Sequence, residues 1–272
     1  MPNLPQHGPS HAPLSGDPVP PWDPANGIYI YDDFLWGSAT DSRYQAAASS
    51  AGGGVSNYSL LAVSGVYDAF HRCQGVVEIV TGTGVSGGGG VVVRGQLGTG
   101  ANPAISGYQL GFGSCTLKSR IAVGHGLIQK GNSCLARFGF WQHTSTIGAA
   151  TVAAATAIGA LTLEYSPDNN GGNLRIGYTV SGAVGNMVSL TYVNCTNAVP
   201  NFGQFEWWEL DIDSSLNVTA LLNGNIIGTA SAIAPSNLPM CLLWTAFHSG
   251  NFLPNGFMTI DDLYLYYPYN RR

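Results

Sequence analysis

The clearest pattern of apolar and polar positions runs from Phe205 to Thr229, FEWWELDIDSSLNVTALLNGNIIGT. Trp208, Leu210 and Ile212 alternate with Glu209, Asp211 and Asp213. A period of two makes a strand with one apolar and one acidic face. Ser214 and Ser215 form a short turn, after which Leu216, Val218, Ala220 and Leu222 resume the alternation. Asn223-Gly224 predicts a two-residue hairpin, because both of its positions favour positive φ. Ile226 and Ile227 open a third limb. Three antiparallel strands with one apolar face need a second sheet to cover it.

The rest of the chain reads in the same way. Gly27 to Gly37 is the first core strand, and short strands follow at Val76 to Val80 and Val91 to Arg94. Tyr44 to Ser50 reads as a helical turn, stopped by Gly52, Gly53 and Gly54. Tyr108 to Gly113, Leu117 to Val123 and Leu135 to Gln142 are strands, the last with Ala136, Phe138 and Phe140 on one side. LTLEYS and LRIGYTV flank the turn-rich PDNNGGN and make a second hairpin. Further strands fall at Met187 to Val193, Met240 to Phe247 and the closing MTIDDLYLYYP. Turn signals recur every ~8–12 residues, the spacing of sandwiches. The fold class expected is all-β, a two-sheet antiparallel β-sandwich of jelly-roll type spanning residues 27–272. The uncharged run from Gln142 to Leu163 has nearly the length of a membrane span, but Ala, Gly and Thr insert weakly, so no membrane insertion is expected.

Residues Met1 to Asn26 change the picture at one end. Eight of the chain's 15 prolines lie there. Such chain stays extended and cannot pair centrally in a sheet. It reads as an extended arm that reaches a neighbouring subunit, with Trp22 as an anchor, or as a tail without structure. His7 and His11 are four apart, but the prolines forbid the helix that would bring them together. No basic start followed by an apolar run marks a secretory signal.

Charge and cysteines narrow the partners. The net charge is −5 with no basic cluster, which argues against nucleic acid. Charged residues make up only 9% of the chain, so its surface is nearly neutral. Either neighbouring copies cover that surface, or it is a Ser/Thr/Asn-rich surface of a secreted style. Cys73, Cys115, Cys134, Cys195 and Cys241 are widely spaced, odd in number and form no C-x-x-C. They read as buried free thiols of a chain assembled in a reducing cytosol.

From Leu135 onward the order of features resembles the concanavalin A-like lectin/glucanase sandwich family. RFGF, LTLEYSPDNNGGNLRIGY, WWELDIDSSLNVTALLNGNIIG and TIDDLYLYY carry the resemblance. More narrowly, the arrangement looks like the variant found in tailed-phage virion proteins: head decorations, head fibres and tail fibres. The resemblance implies that the first and last strands lie side by side. With the low charge, the arm and the free cysteines, it implies a non-enzymatic virion structural protein. Its location would be the particle surface after assembly in the host cytoplasm. Its partners would be itself, as a homo-oligomer such as a trimer, and a major capsid or other virion protein held by the arm. A glycan-binding tail-fibre or adhesin module that contacts a host-surface glycan is the alternative, and a polysaccharide hydrolase or lyase the third.

Glu209, Asp211 and Asp213 resemble the E-x-D-x-E signature of glucanases on this fold. Retaining hydrolysis needs two carboxyl groups about 5–5.5 Å apart, whereas i and i+4 on a regular strand are separated by about 13 Å. The residues read better as a solvent-facing acidic stripe, and no catalytic residue is assigned. No G-x-S-x-G occurs, and Gly111-Phe112-Gly113-Ser114-Cys115 matches it only in composition. His125, His143 and His248 read as structural. The glycine stretch TGTGVSGGGG lacks the lysine of a phosphate loop and fits tight turns or close backbone approach. Asp261-Asp262 and Asp32-Asp33 are conceivable calcium ligands, but adjacent strand residues point to opposite faces, so no metal or cofactor is assigned. Trp141, Trp207 and Tyr192 suit sugar stacking, core packing or an interface equally.

Overall fold

The computed structural model describes residues 27–32, 44–50, 58–61, 76–80, 88–94, 96–97, 105–106, 108–128, 130–131, 134–142, 155–179, 187–236, 238–248 and 257–268. The arm Met1 to Asn26 lies outside them, as do Cys73, His143 and the segment 143–154. The strands, in chain order, are β1 (Gly27–Asp32), β2 (Tyr44–Ser50), β3 (Tyr58–Leu61), β4 (Val76–Val80), β5 (Gly88–Arg94), β6 (Gln96–Leu97), β7 (Ile105–Ser106), β8 (Tyr108–Gln109), β9 (Cys115–Val123) and β10 (Leu135–Gln142). They continue as β11 (Thr156–Ala157), β12 (Gly159–Tyr165), β13 (Arg175–Thr179), β14 (Val188–Ser189), β15 (Thr191–Asn194), β16 (Phe205–Ile212), β17 (Val218–Leu222), β18 (Asn225–Ala230), β19 (Pro239–His248) and β20 (Phe257–Pro268).

Two eight-stranded antiparallel sheets result. Sheet A runs β18-β17-β16-β9-β20-β4-β3, with β1 also on β20. Sheet B runs β15-β13-β12-β10-β19-β5-β2, with β8 also on β19. The first and last strands lie side by side as expected, from Gly27 opposite Pro268 to Asp32 opposite Leu263. The all-β sandwich read from the sequence is the architecture observed.

The core lies between the sheets. Trp208, Leu210 and Ile212 face inward from sheet A and meet Phe138, Phe140, Leu161, Leu163 and Trp244 of sheet B, all at most 2% exposed. Each fully buried Leu or Ile contributes about 1.5–3 kcal/mol. The hairpin predicted at Asn223-Gly224 joins β17 to β18, with φ of 52° and 78°. Asn223 also closes the open end of the preceding hairpin: its N–H donates to the Trp207 carbonyl and its Oδ1 accepts from the Trp207 N–H, each at 2.9 Å.

Two local expectations are corrected. Tyr44 to Ser50 is a strand, not a helical turn. It pairs with β5 along its whole length, and sheet pairing overrides the helix preference of its three alanines. Leu216 belongs to the turn, at φ 66°, so the second limb begins at Val218. The glycine stretch before Val91 enters β5, where a Cβ on Gly89 would sit 2.6 Å from the Ala246 carbonyl oxygen; close backbone approach explains that glycine.

Candidate functional surfaces

The outer face of sheet A is half-open. Along β16 inward residues are buried, while Phe205, Trp207, Glu209 and Asp211 are half-buried on the outside. Trp207, Tyr264 and Tyr31 form a row of rings across β16, β20 and β1. Centroids are 5.4 Å apart in the first pair and 4.7 Å in the second, and Tyr31 is 39% exposed. The Lys118 ammonium lies 4.5 Å above the Trp207 ring and 3.7 Å from the Glu209 carboxylate. Trp207 is therefore half-buried on this face, as Tyr192 is on the edge strand β15 of sheet B.

The acidic triad expected on this strand is tied into the fold. Glu209 faces Lys118. Asp211 accepts from the Thr116 hydroxyl at 2.7 Å. Asp213 lies past the end of β16 and builds the turn. Its Oδ1 accepts from the Ser215 and Asn217 N–H groups at 2.8 and 2.9 Å, and its Oδ2 accepts from the Asn217 amide at 2.8 Å. The Asn217 amide and N–H bonds hold the Asp213 carboxyl below its ordinary range. An ionised carboxylate with both oxygens occupied suits a turn better than proton transfer.

The aspartate pair at the end of sheet A differs from expectation for a definable reason. The register between β20 and β9 shifts between Ile260 and Asp262. Met258 and Ile260 point inward before the bulge, Leu263 and Leu265 after it. Both carboxylates therefore reach the same side, where the Arg120 Nη1 donates to Asp261 at 2.6 Å and lies 3.8 Å from Asp262. The cation served is a guanidinium, and Tyr31 donates to Asp262 at 3.1 Å. Among the described residues no cluster of three or more His, Cys, Asp or Glu stands ready for a metal ion. The Asp32 side chain and Asp33 lie outside the description.

The outer face of sheet B is closed over β10 and β12. Every residue of β10 and β12 is buried, on both sides. Trp141 packs there with Ala157, Ala160, Leu190, Cys241 and Leu243, so it is core, and its indole N–H has no partner among the described residues. Beside this apolar patch lies a charged triad. Arg137 and Glu164 are each 1% exposed. Glu164 Oε2 accepts from Arg137 Nε at 2.8 Å and from its Nη2, while Oε1 accepts from Arg175 Nε at 2.8 Å and from its Nη2. Arg137 stacks over Trp141 at 5.0 Å and Arg175 over Tyr192 at 3.6 Å. Burial pushes the Glu164 carboxyl up, but the two guanidiniums outweigh it and hold the group below the ordinary carboxylate range. Glu164 is the one carboxylate on the described outer face of sheet B, and it is fully engaged.

Sequence reasoning passed over this triad. Arg137 and Arg175 stood inside strands read only for their apolar partners, and an arginine in the middle of LARFGFWQ was the available signal. Cys115, Cys134, Cys195 and Cys241 are free and buried, as read from their spacing. Burial pushes the Cys134 and Cys241 thiols up to about 12 and that of Cys195 to about 11, so none is a reactive thiolate. His248 is buried at the end of β19. No helix of the described residues is long and apolar enough to cross a membrane, and the end of the uncharged run, Gly159 to Leu163, lies in β12.

No family model and no curated relative matches this chain by sequence. Solved structures match by shape. The carbohydrate recognition domain of Emp47p superposes with a TM-score of 0.51 at 11% identity, over 90% of this chain and 99% of that one. An endo-1,3-β-glucanase from Streptomyces sioyaensis gives 0.52 at 13% identity, over 91% and 99%. A β-1,3-1,4-glucanase (lichenase) derived from a mouse hindgut metagenome gives 0.51 at 11%, over 89% and 100%. At such identities the likeness establishes the fold alone: the chain has the two-sheet fold of the concanavalin A-like lectin/glucanase sandwiches.

Proposed function

We propose that this chain is a non-enzymatic virion structural protein of a tailed phage, of the capsid-decoration or head-fibre type. The arm Met1 to Asn26 attaches it, and the sandwich is carried outward on the particle. The observation that carries the non-enzymatic part is the engagement of the acids. Glu209, Asp211 and Asp213 are bound to Lys118, Thr116 and the turn, and Glu164 to two arginines. A two-carboxylate hydrolysis needs one acid free to hold a proton and one free to attack. The low charge and the Pro-rich arm support the virion part. Deleting residues 1–26 should abolish incorporation into particles while the sandwich still unfolds cooperatively. Normal decoration by the truncated chain would end the attachment role.

The open aromatic row favours a second reading on the same particle, recognition of a host-surface glycan. Trp207, Tyr264 and Tyr31 present rings on an accessible sheet face with Lys118, Glu209 and Arg120 among them. Rings take the C–H faces of sugars and the charged groups take hydroxyls. The solved structures of like shape include carbohydrate recognition domains and glucanases, whose own ligands are glycans. On a glycan array, hits lost by Trp207→Ala support this role, and an array without hits removes it. Depolymerisation of a β-glucan that disappears in Glu209→Gln would overturn the non-enzymatic reading.

A further inference from the structure

Arg175 sits at the rim of the closed face of sheet B, and only part of its hydrogen-bonding capacity is used. Its Nε–H and one Nη2–H are spent on Glu164 Oε1. One face of its guanidinium is covered by Tyr192 at 3.6 Å. The end-on edge, Nη1–H with the second Nη2–H, has no partner among the described residues. The side chain keeps 15% of its surface in solvent, against 1% for Arg137.

The surroundings give this edge the form of a site. Glu164 and Tyr192 fix the guanidinium from two directions, so little rotamer entropy remains to be lost on binding. Asn194 lies directly opposite Arg175 on the edge strand β15 and is exposed. Gly177, next on the same face, is closely covered: a Cβ would lie 3.0 Å from both Thr162 Oγ1 and Tyr192 Cε1. The triad taken by itself holds two guanidiniums and one carboxylate, an excess of one positive charge. A second carboxylate at the end-on edge would balance it. The planar fork offers two parallel N–H groups at the spacing of a carboxylate.

We infer that Arg175 and Asn194 form a binding site for an acidic sugar of the hexuronate class. The carboxylate takes the end-on edge of Arg175, and the Asn194 amide, donor and acceptor at once, takes a ring hydroxyl. The site is separate from the aromatic row of sheet A and independent of any role assigned to it.

Calorimetric titration of the full chain with glucuronate, glucose and acetate at matched ionic strength tests this. Glucuronate should bind, with glucose and acetate at least about tenfold weaker, since each lacks half of the recognised group. Arg175→Gln should weaken glucuronate about tenfold or more. Because that variant also disturbs the triad, Asn194→Asp serves as the second arm. It leaves the triad's own side chains unaltered and sets a carboxylate beside Arg175, so it should melt no lower than wild type and lose glucuronate about tenfold. Absence of glucuronate binding, equal binding of glucose or acetate, or an unaffected Asn194→Asp protein would each overturn the inference. None of these results bears on attachment through the arm.

Discussion

The two outer faces of this sandwich are built from the same strand geometry and have opposite fates. On sheet A the outward residues of β16 are half-buried, so the Lys118–Glu209 pair is made in partial contact with water. On β10 and β12 of sheet B the outward residues are buried as well, and an Arg–Glu–Arg triad sits under 1–2% side-chain exposure at Arg137 and Glu164. Charge that is cheap at the surface costs several kcal/mol per ion once buried, unless every hydrogen bond is made. Glu209 and Glu164 are thus the same residue in different roles. The first faces a lysine on an open sheet; the second locks two strands and a rim arginine together.

The sharpest way to break the comparison is Glu164→Gln. Two guanidiniums would lose their counter-charge in a closed site, and the expected cost is about 3 kcal/mol by urea unfolding. The pH dependence has a fixed sign. The folded-state value of Glu164 lies below the ordinary 4.5. Its stabilisation is therefore complete above 4.5 and is lost as pH falls through the lower folded-state value. The stability gap between wild type and Glu164→Gln should stay constant from neutral pH down to about 4.5, narrow between there and the lower folded-state value, and level off below it. A gap that widens in acid would mean that the carboxyl is not held by the arginines.

Gly139→Ala probes the same closed face without touching charge. Gly139 has φ of 150°, and a Cβ there would collide with the Leu161 carbonyl and come within 2.7 Å of the Thr162 Cα. Backbone cannot yield as a side-chain tip can, so a loss of about 2 kcal/mol is expected. Loss of less than about 0.5 kcal/mol would show that β10 and β12 are packed more loosely than the register between them indicates.

Legibility in the sequence followed the same divide. Sheet A could be read because alternation marks a half-buried strand: Trp208, Leu210 and Ile212 were placed inside from spacing alone, and they are 0–2% exposed. The Asn223-Gly224 turn was equally plain, since few residue pairs adopt positive φ twice. The closed face of sheet B was not legible. A strand buried on both sides loses its period, and Leu135 to Gln142 identifies a strand without revealing that Arg137 is buried with it. The triad joins residues 137, 164 and 175 through register, which no local pattern encodes. The bulge at Asp261 escaped for a related reason: strict alternation separates adjacent aspartates, and one extra residue in β20 puts them on the same side.

The smallest expected effect sharpens the comparison most economically. Glu209→Gln removes a carboxylate from the open face, 3.7 Å from Lys118, with both side chains partly in water at 15% and 12% exposure. Single pairs that water still reaches contribute about 0.2–1 kcal/mol, and the lysine left behind keeps its contact with the Trp207 ring. The unfolding free energy should change by less than about 0.5 kcal/mol, several times less than for the same substitution at Glu164. Raising salt from 0.1 to 1 M should erase what difference remains, because screening acts on charges that water reaches. A loss at Glu209 matching that at Glu164 would mean that the face of sheet A is covered too, and that the divide between the two surfaces does not exist in solution.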